Sequence, residues 1–253
     1  MTTLSAAIPS APDPERELLR NTGRAIADFD LISAGDRIMV GLSGGKDSYA
    51  LLLLLEAMRR RAPIDFTLLA VHLDQGQPGH SAEPLRAWLT KNEFDHRIVR
   101  EDTYSIVKEI VPDGRTPCSM CARLRRAILY RVADEFGCNK IALGHHRDDA
   151  VETLLLNIFF AGKLASMPAH LTSDDGKHQV IRPLIYCAEQ DLADFAANRN
   201  VPILPCNLCG SLPNAQRKQI KSLLTRMEVE HPNLRQTMLA ALGNVHLSHL
   251  LVK

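Results

Sequence analysis

The chain has 253 residues, 45% apolar and 23% charged, the balance of an ordinary globular protein long enough for one large domain. A formal net charge of +1 excludes a global field for nucleic acid, so any such surface has to be a local patch. No apolar run reaches the roughly 18 residues of a membrane span. The first residues lack the charged-then-apolar order of a signal peptide, and the expectation is a cytoplasmic protein with no membrane partner.

Residues 1–13 are small and proline-containing and read as disordered; residues 14–253 read as a single domain. An N-terminal helix opens it (14–34), with helical spacing clearest over 15–28. Alternating elements follow: strand 37–42, helix 48–60, strand 66–73, helix 82–92, strand 96–100, helix 119–136, strand 140–143 and helix 148–160. Strands and helices joined by short connections predict an α/β fold, a doubly wound parallel sheet. Beyond residue 161 the alternation weakens. A polar turn (173–178), a short strand within 181–187 and a helix (189–198) lead to a loop punctuated by Pro202 and Pro205. Helices over 214–227 and 234–242 close the chain, so that 188–253 is mostly helical.

The most informative stretch is Ser43-Gly-Gly-Lys-Asp-Ser48, between an apolar strand and a helix. Two glycines let the backbone turn sharply and aim several N–H groups at one spot, at a helix N-terminus whose dipole favours an anion. A Walker loop would place its lysine one position later and follow it with Ser or Thr, whereas Lys46 is followed by Asp47. The six residues resemble the SGGxDS loop of the PP-loop pyrophosphatase family. That resemblance implies ATP cleaved between the α and β phosphates, with Ser43, Gly44, Gly45, Asp47 and Ser48 cradling the nucleotide. Asp47 beside phosphate needs a neutralising cation, and Lys46 with Mg²⁺ fits that need.

Ligands in doubly wound sheets bind beyond the carboxyl ends of strands, where 43–48, 74–75 and 144–149 all fall. Gly144-His145-His146-Arg147-Asp148-Asp149, followed by Glu152, starts a helix there. Gly144 suits close backbone approach to a nucleotide. Asp149 and Glu152 share a helix face and suit Mg²⁺, while Asp148 alone suits helix capping. His72 and Asp74 end the second strand where a ribose or base is expected. For His72 a place at the edge of the core is an equal reading.

Six cysteines in a reducing compartment point to metal or redox chemistry. Cys118-x-x-Cys121 and Cys206-x-x-Cys209 fit, by spacing, a closed Cys₄ zinc site first, an iron–sulfur cluster second and a thioredoxin-like pair third. Cys138 and Cys187 stand alone among apolar residues and read as packed core thiols.

PCSMCARLRRAILYR (117–131), LGHHRDD, SDDGKH, IRPL and PCNLCGS (205–211) together resemble the tRNA 2-thiocytidine synthetase family over nearly the whole chain. That resemblance reorders the cysteine readings. It implies a [4Fe–4S] cluster on Cys118, Cys121 and Cys209, with Cys206 an alternative third ligand, and one iron left open. It further implies ATP- and Mg²⁺-dependent replacement of the 2-oxygen of cytidine 32 in a tRNA anticodon loop by sulfur. Lys46, Asp47 and Asp149 would be catalytic, a cysteine desulfurase the sulfur donor, and the assembly a homodimer. Arg123, Arg125, Arg126 and Arg131, on the helix after the first pair, fit tRNA phosphates or, one by one, an ordinary solvated face; Arg217 and Lys218 are further candidates. The competing readings are a PP-loop ligase that adenylates another substrate and a non-catalytic RNA-binding protein, each with structural zinc.

Overall fold

The computed structural model describes residues 13–110, 118–173, 176–204 and 215–251. Helix α1 (Pro14–Asp28) begins where Asp13 accepts a hydrogen bond from the Glu15 N–H at 3.1 Å, with Pro14 in its first turn. Leu18, Thr22 and Ala25, spaced along one face, are its buried residues. Strand β1 (Arg37–Leu42) follows, then α2 (Lys46–Arg59), β2 (Thr67–Asp74), α3 (Glu83–Lys91), β3 (His96–Arg100), α4 (Thr103–Ile110), α5 (Cys118–Glu135), β4 (Lys140–Ala142) and α6 (Arg147–Leu156). A π-helical turn (Asn157–Ala161), β5 (His170–Thr172), β6 (Gln179–Ile181), α7 (Glu189–Asn198), α8 (Ala215–Glu230) and α9 (Leu234–Leu242) complete the order. Among the described residues no helix is long and apolar enough to cross a membrane.

The sheet order is β3-β2-β1-β4-β6-β5, parallel except for β5 at the edge. Side chains alternate across it. Ile38, Val40 and Leu42 enter a core with α1, α2, α3 and α7, while Met39 enters a second core with Val132 and Ala133 of α5. Both faces are therefore covered, as the expected doubly wound sheet requires. The chain winds from β1 toward β3 on one side and resumes at β4 on the other. The loops after β1 and β4 thus flank the switch point, where a crevice opens. Helices α8 and α9 pack on α6 through Val151, Ile220, Leu224 and Met238, which carries the C-terminal helices to the same end of the sheet.

Some expectations need correction. The strand expected within 181–187 ends at Ile181, because Pro183 has no N–H for the ladder and Ile185 N–H turns back to the Arg182 carbonyl. The α-helix expected over 148–160 ends at Leu156. It passes into the π turn, whose last residue precedes Gly162 at φ +60°, a left-handed stop. Helix α4 and strand β5 were not expected. β5 is exposed along its length and so carries no apolar alternation to mark it.

Candidate active site

The loop after β1 is held in a phosphate-cradle shape by its own polar atoms. Gly44 adopts φ +82°, and Ser43 Oγ accepts from the Gly45 N–H at 3.2 Å. Ser48 Oγ donates to the Gly45 carbonyl at 2.8 Å. Gly45 is the N-cap of α2 with no side-chain cap, so the donors of that helix end remain for a ligand. From beyond α7, Leu204 N–H donates to the Gly44 carbonyl at 2.9 Å, and Tyr49 of α2 donates to the Pro202 carbonyl at 2.7 Å. Leu204 is thus held against this loop.

Lys46 Nζ is bonded to both Asp47 carboxylate oxygens (3.0 and 3.1 Å) and to Glu189 Oε1 at 3.4 Å. Burial works against its charge, but Asp47 and Glu189 outweigh that and raise its pKa. Lys221 of α8 also holds Glu189, at 2.6 Å. Glu189 stays below the usual carboxylate range because Lys221 and Lys46 outweigh its burial.

Gly144 packs directly against the loop after β1. A Cβ there would lie 3.1 Å from the Asp47 carbonyl group and from Ser48 N. The close approach it permits is to the loop backbone, between two strands' ends. His146 caps α6 in a reciprocal box with Asp149: its N–H donates to Asp149 Oδ2 at 3.2 Å. Its Nε2 lies 3.4 Å from that oxygen and 3.9 Å from Asp47 Oδ2, so the acids of the two loops face each other across this ring. Asp148 is buried, accepts from the Glu189 N–H at 2.9 Å and pairs with Arg235 at 3.1 Å. It caps, as expected, but it caps α7 instead of its own helix.

Asp149 and Glu152 share a face, and Arg217 of α8 bridges them at 3.4 and 3.1 Å. A magnesium ion on that pair has to compete with a guanidinium already there. Burial raises the Glu152 pKa despite Arg217. Among the described residues no group of three or more His, Cys, Asp or Glu is arranged to hold a metal. His145 is held by Arg182 of the IRPL segment, whose Nε donates to Nδ1 at 3.3 Å. Burial, then Arg182, push its pKa down to about 4, so it is neutral at neutral pH.

A cavity of about 270 Å³ opens beside the loop, lined by Ser43, Gly45, His72, Gln75, His80 and Arg125 among others. Its size is close to the lower bound, roughly 300 Å³, of small-molecule sites. His72 is 2% exposed, bonded through Nδ1 to the Leu42 carbonyl at 2.8 Å and through Nε2 to His80 at 3.3 Å. Burial lowers its pKa, keeping it neutral. It is therefore both an edge-of-core histidine and part of the cavity wall. Asp74 is different: its Oδ1 accepts from the Gly76 N–H at 3.0 Å, closing a turn.

Gln75, marked in the sequence only as a position at the sheet edge, joins two parts of the site. Its Oε1 accepts from Thr103 Oγ1 at 3.2 Å and from the Cys121 thiol at 3.4 Å. Cys121 lies one turn after Cys118 at the start of α5. Arg125, one further turn along, lines the cavity, while Arg123 and Arg126 are exposed. Arg131 is taken up by Glu101 and Glu135 and is a solvated surface pair. Lys218 is exposed on α8. Cys206, Cys209 and the Cys118 side chain lie outside the described residues. Cys138 and Cys187 are buried, and burial pushes the Cys187 thiol up to about 12, which suits packing and not reaction. Sequence reasoning missed His80, Arg182, Glu189 and Lys221, each reached from a distant segment.

Comparison with known proteins agrees with this geometry. A PP-loop domain family matches residues 15–204. The tRNA-cytidine(32) 2-sulfurtransferase of Sorangium cellulosum (strain So ce56) is 58% identical over 235 residues, covering 93% of this chain and 83% of that protein. The protein of the same name from Yersinia pseudotuberculosis serotype IB is 57% identical over 236 residues, covering 93% and 75%. Among solved structures, the U34-tRNA thiolase NcsA from Methanococcus maripaludis with its [4Fe-4S] cluster shares the fold at TM-score 0.73 and 23% identity, covering 94% of this chain and 80% of that one. With a PP-loop model over most of its length and relatives above half identity, the chain belongs to the tRNA-cytidine(32) 2-sulfurtransferase family of PP-loop proteins.

Proposed function

We propose that this protein converts cytidine 32 of tRNA to 2-thiocytidine, spending ATP to AMP and pyrophosphate, in the cytoplasm. One observation carries the reading: Cys121 is bonded to Gln75, and Gln75 lines the cavity beside the Ser43–Ser48 loop. Sulfur chemistry and nucleotide chemistry therefore share a wall. The cytidine O2 attacks the α-phosphate of ATP; the bond from that phosphorus to the bridging oxygen breaks and pyrophosphate leaves. Loop N–H groups and Lys46 offset the charge that develops, and Asp47 and Asp149 would hold a Mg²⁺ that, when bound, would supply further neutralisation of the phosphates. Sulfide then adds to C2 and AMP departs with the former O2, so a poor leaving oxygen has become a good one.

A [4Fe–4S] cluster on Cys118, Cys121 and Cys209 would supply, when bound, an iron with an open position for the incoming sulfur. The described part of that donor set fits: Cys121 is partly exposed and bonded to Gln75 of the cavity wall, one helical turn from Cys118. Exposed Arg123 and Arg126 suit the phosphates of the RNA, and Arg125 the mouth of the cavity. A cysteine desulfurase is the sulfur source in this reading. The exposed Ile158, Phe159, Phe160 and Leu164 suit burial in a homodimer.

Anaerobic purification with iron, sulfide and zinc assays, followed by thiolation of a tRNA bearing cytidine 32, tests the proposal. Brown protein with about four irons and four sulfides that forms 2-thiocytidine is expected. Colourless protein with one zinc and no thiolation would overturn it in favour of a structural zinc site.

A further inference from the structure

Arg217 is placed by α8 against the two acids that follow the second motif. Its Nη1 alone makes the contacts, to Asp149 Oδ1 at 3.4 Å and Glu152 Oε2 at 3.1 Å. A guanidinium has five N–H donors, and Nη1 carries two of them. The Nε–Nη2 edge, a planar fork matched to two phosphate oxygens, makes no hydrogen bond among the described residues. Its side chain is 38% exposed, so that edge is not sealed in the core.

Three other cations around these acids are already committed. Lys46 has three N–H donors and three carboxylate contacts, to Asp47 twice and to Glu189. Lys221 is bonded to Glu189 at 2.6 Å. Arg235 is spent on Asp148 and Glu228. Among the described residues around these acids, Arg217 couples a fixed anchor to an open fork. The anchor also places it: Asp149 lies 3.4 Å from His146 Nε2, which lies 3.9 Å from Asp47 of the loop.

We infer that Arg217, anchored on Asp149 and Glu152, binds the β- and γ-phosphates of ATP and the leaving pyrophosphate through its open edge. This inference rests on the reading of the site as ATP-cleaving. It assigns Arg217 to the phosphates of the nucleotide and not to those of tRNA. It also gives buried Glu152 a positioning role, holding the guanidinium in place instead of ligating magnesium. Because AMP lacks the phosphates concerned, the arginine discriminates between substrate and product nucleotides.

Isothermal titration of the intact protein with Mg²⁺ and, separately, α,β-methylene-ATP, pyrophosphate and AMP tests this. R217K retains the charge and loses the fork. It should weaken α,β-methylene-ATP and pyrophosphate binding roughly ten- to hundredfold while AMP binding stays within about twofold. R226Q, on the same helix two and a half turns away, controls for general charge, and thermal melts of R217K and R217Q report the fold. Unchanged pyrophosphate and α,β-methylene-ATP affinities in R217K, or an equal loss for AMP, would overturn the inference alone. Absence of nucleotide binding by the unmodified protein would overturn the ATP-cleaving reading and the inference with it.

Discussion

Gly144→Ala is the sharpest perturbation this fold offers. The backbone at Gly144 is in a region open to any residue, since it is absent from the positive-φ glycines; only space is at issue. The new Cβ would sit 3.1 Å from the Asp47 carbonyl carbon and oxygen and from Ser48 N, where ordinary contact begins near 3.4 Å. Those neighbours are backbone of the first turn of α2, and the helix beyond them is buried from Tyr49 through Leu52. They cannot yield as a flexible side chain would, so the loop after β4 has to move by a few tenths of an ångström. Overpacking of this kind costs about 1–3 kcal/mol, offset by about 0.4–1 kcal/mol from the stiffer unfolded chain. A net loss of about 1–2 kcal/mol in urea denaturation is expected. The same shift separates Asp47 from Asp149 and should lower pyrophosphate release in the presence of tRNA by roughly tenfold. Gly23→Ala is the control. Its Cβ meets only the end of the Met58 side chain, at 3.4 Å inside helix α1, so it should stabilise by about 0.5–1 kcal/mol. A G144A protein as stable and as fast as the parent would refute the argument that this glycine spaces the two loops.

Two further expectations follow from single contacts. His145 is neutral in the fold, with its pKa near 4 through burial and Arg182, whereas an unfolded histidine takes up a proton below about 6.5. Its contribution is fully present above that value and is lost as the pH falls toward 4, by about 3 kcal/mol. His145→Asn keeps an acceptor for Arg182 without the titration, so its urea stability should fall less steeply over that window; parallel slopes would remove His145 as the cause. Tyr49→Phe leaves the half-buried Pro202 carbonyl without its 2.7 Å donor and should cost about 1 kcal/mol. It should also speed hydrogen exchange at the Leu204 amide, which is bonded to Gly44, and unaltered exchange there would separate Tyr49 from the positioning of this segment.

How far the sequence could be read depended on how local each signal was. The spans 96–100, 189–198 and 234–242 coincide with β3, α7 and α9, because apolar spacing and flanking turns mark both ends. The Ser43–Ser48 loop was legible for the same reason. Roles set by distant partners were not. Arg217 meets Asp149 at a sequence separation of 68 and Glu152 at 65, and nothing near any of the three announces the contact. Asp74 and Gln75 are neighbours, yet the strand ends between them. The acid closes a turn on Gly76, while the amide reaches the cavity and the Cys121 thiol. Gly144 suggested close approach to a nucleotide, and only the fold reveals that the backbone of the other loop is also its neighbour.

The charges at the site explain why a divalent cation belongs to this chemistry. Asp47, Asp149, Glu152 and Glu189 converge on it, against Lys46, Arg217 and Lys221. Acids outnumber bases by one, and most of the positive charge is already bonded to them. A nucleotide arriving with several negative charges of its own meets little net attraction from these side chains, which leaves the loop N–H groups and the open edge of Arg217 to hold it. Mg²⁺ shared between the phosphates and the carboxylates changes that balance, since it offsets charge on both partners at once. The acids would then favour the magnesium complex of the nucleotide over the free nucleotide, which titration with and without Mg²⁺ measures. The lysine and arginine that hold them in the meantime keep carboxylates close together that would otherwise repel one another.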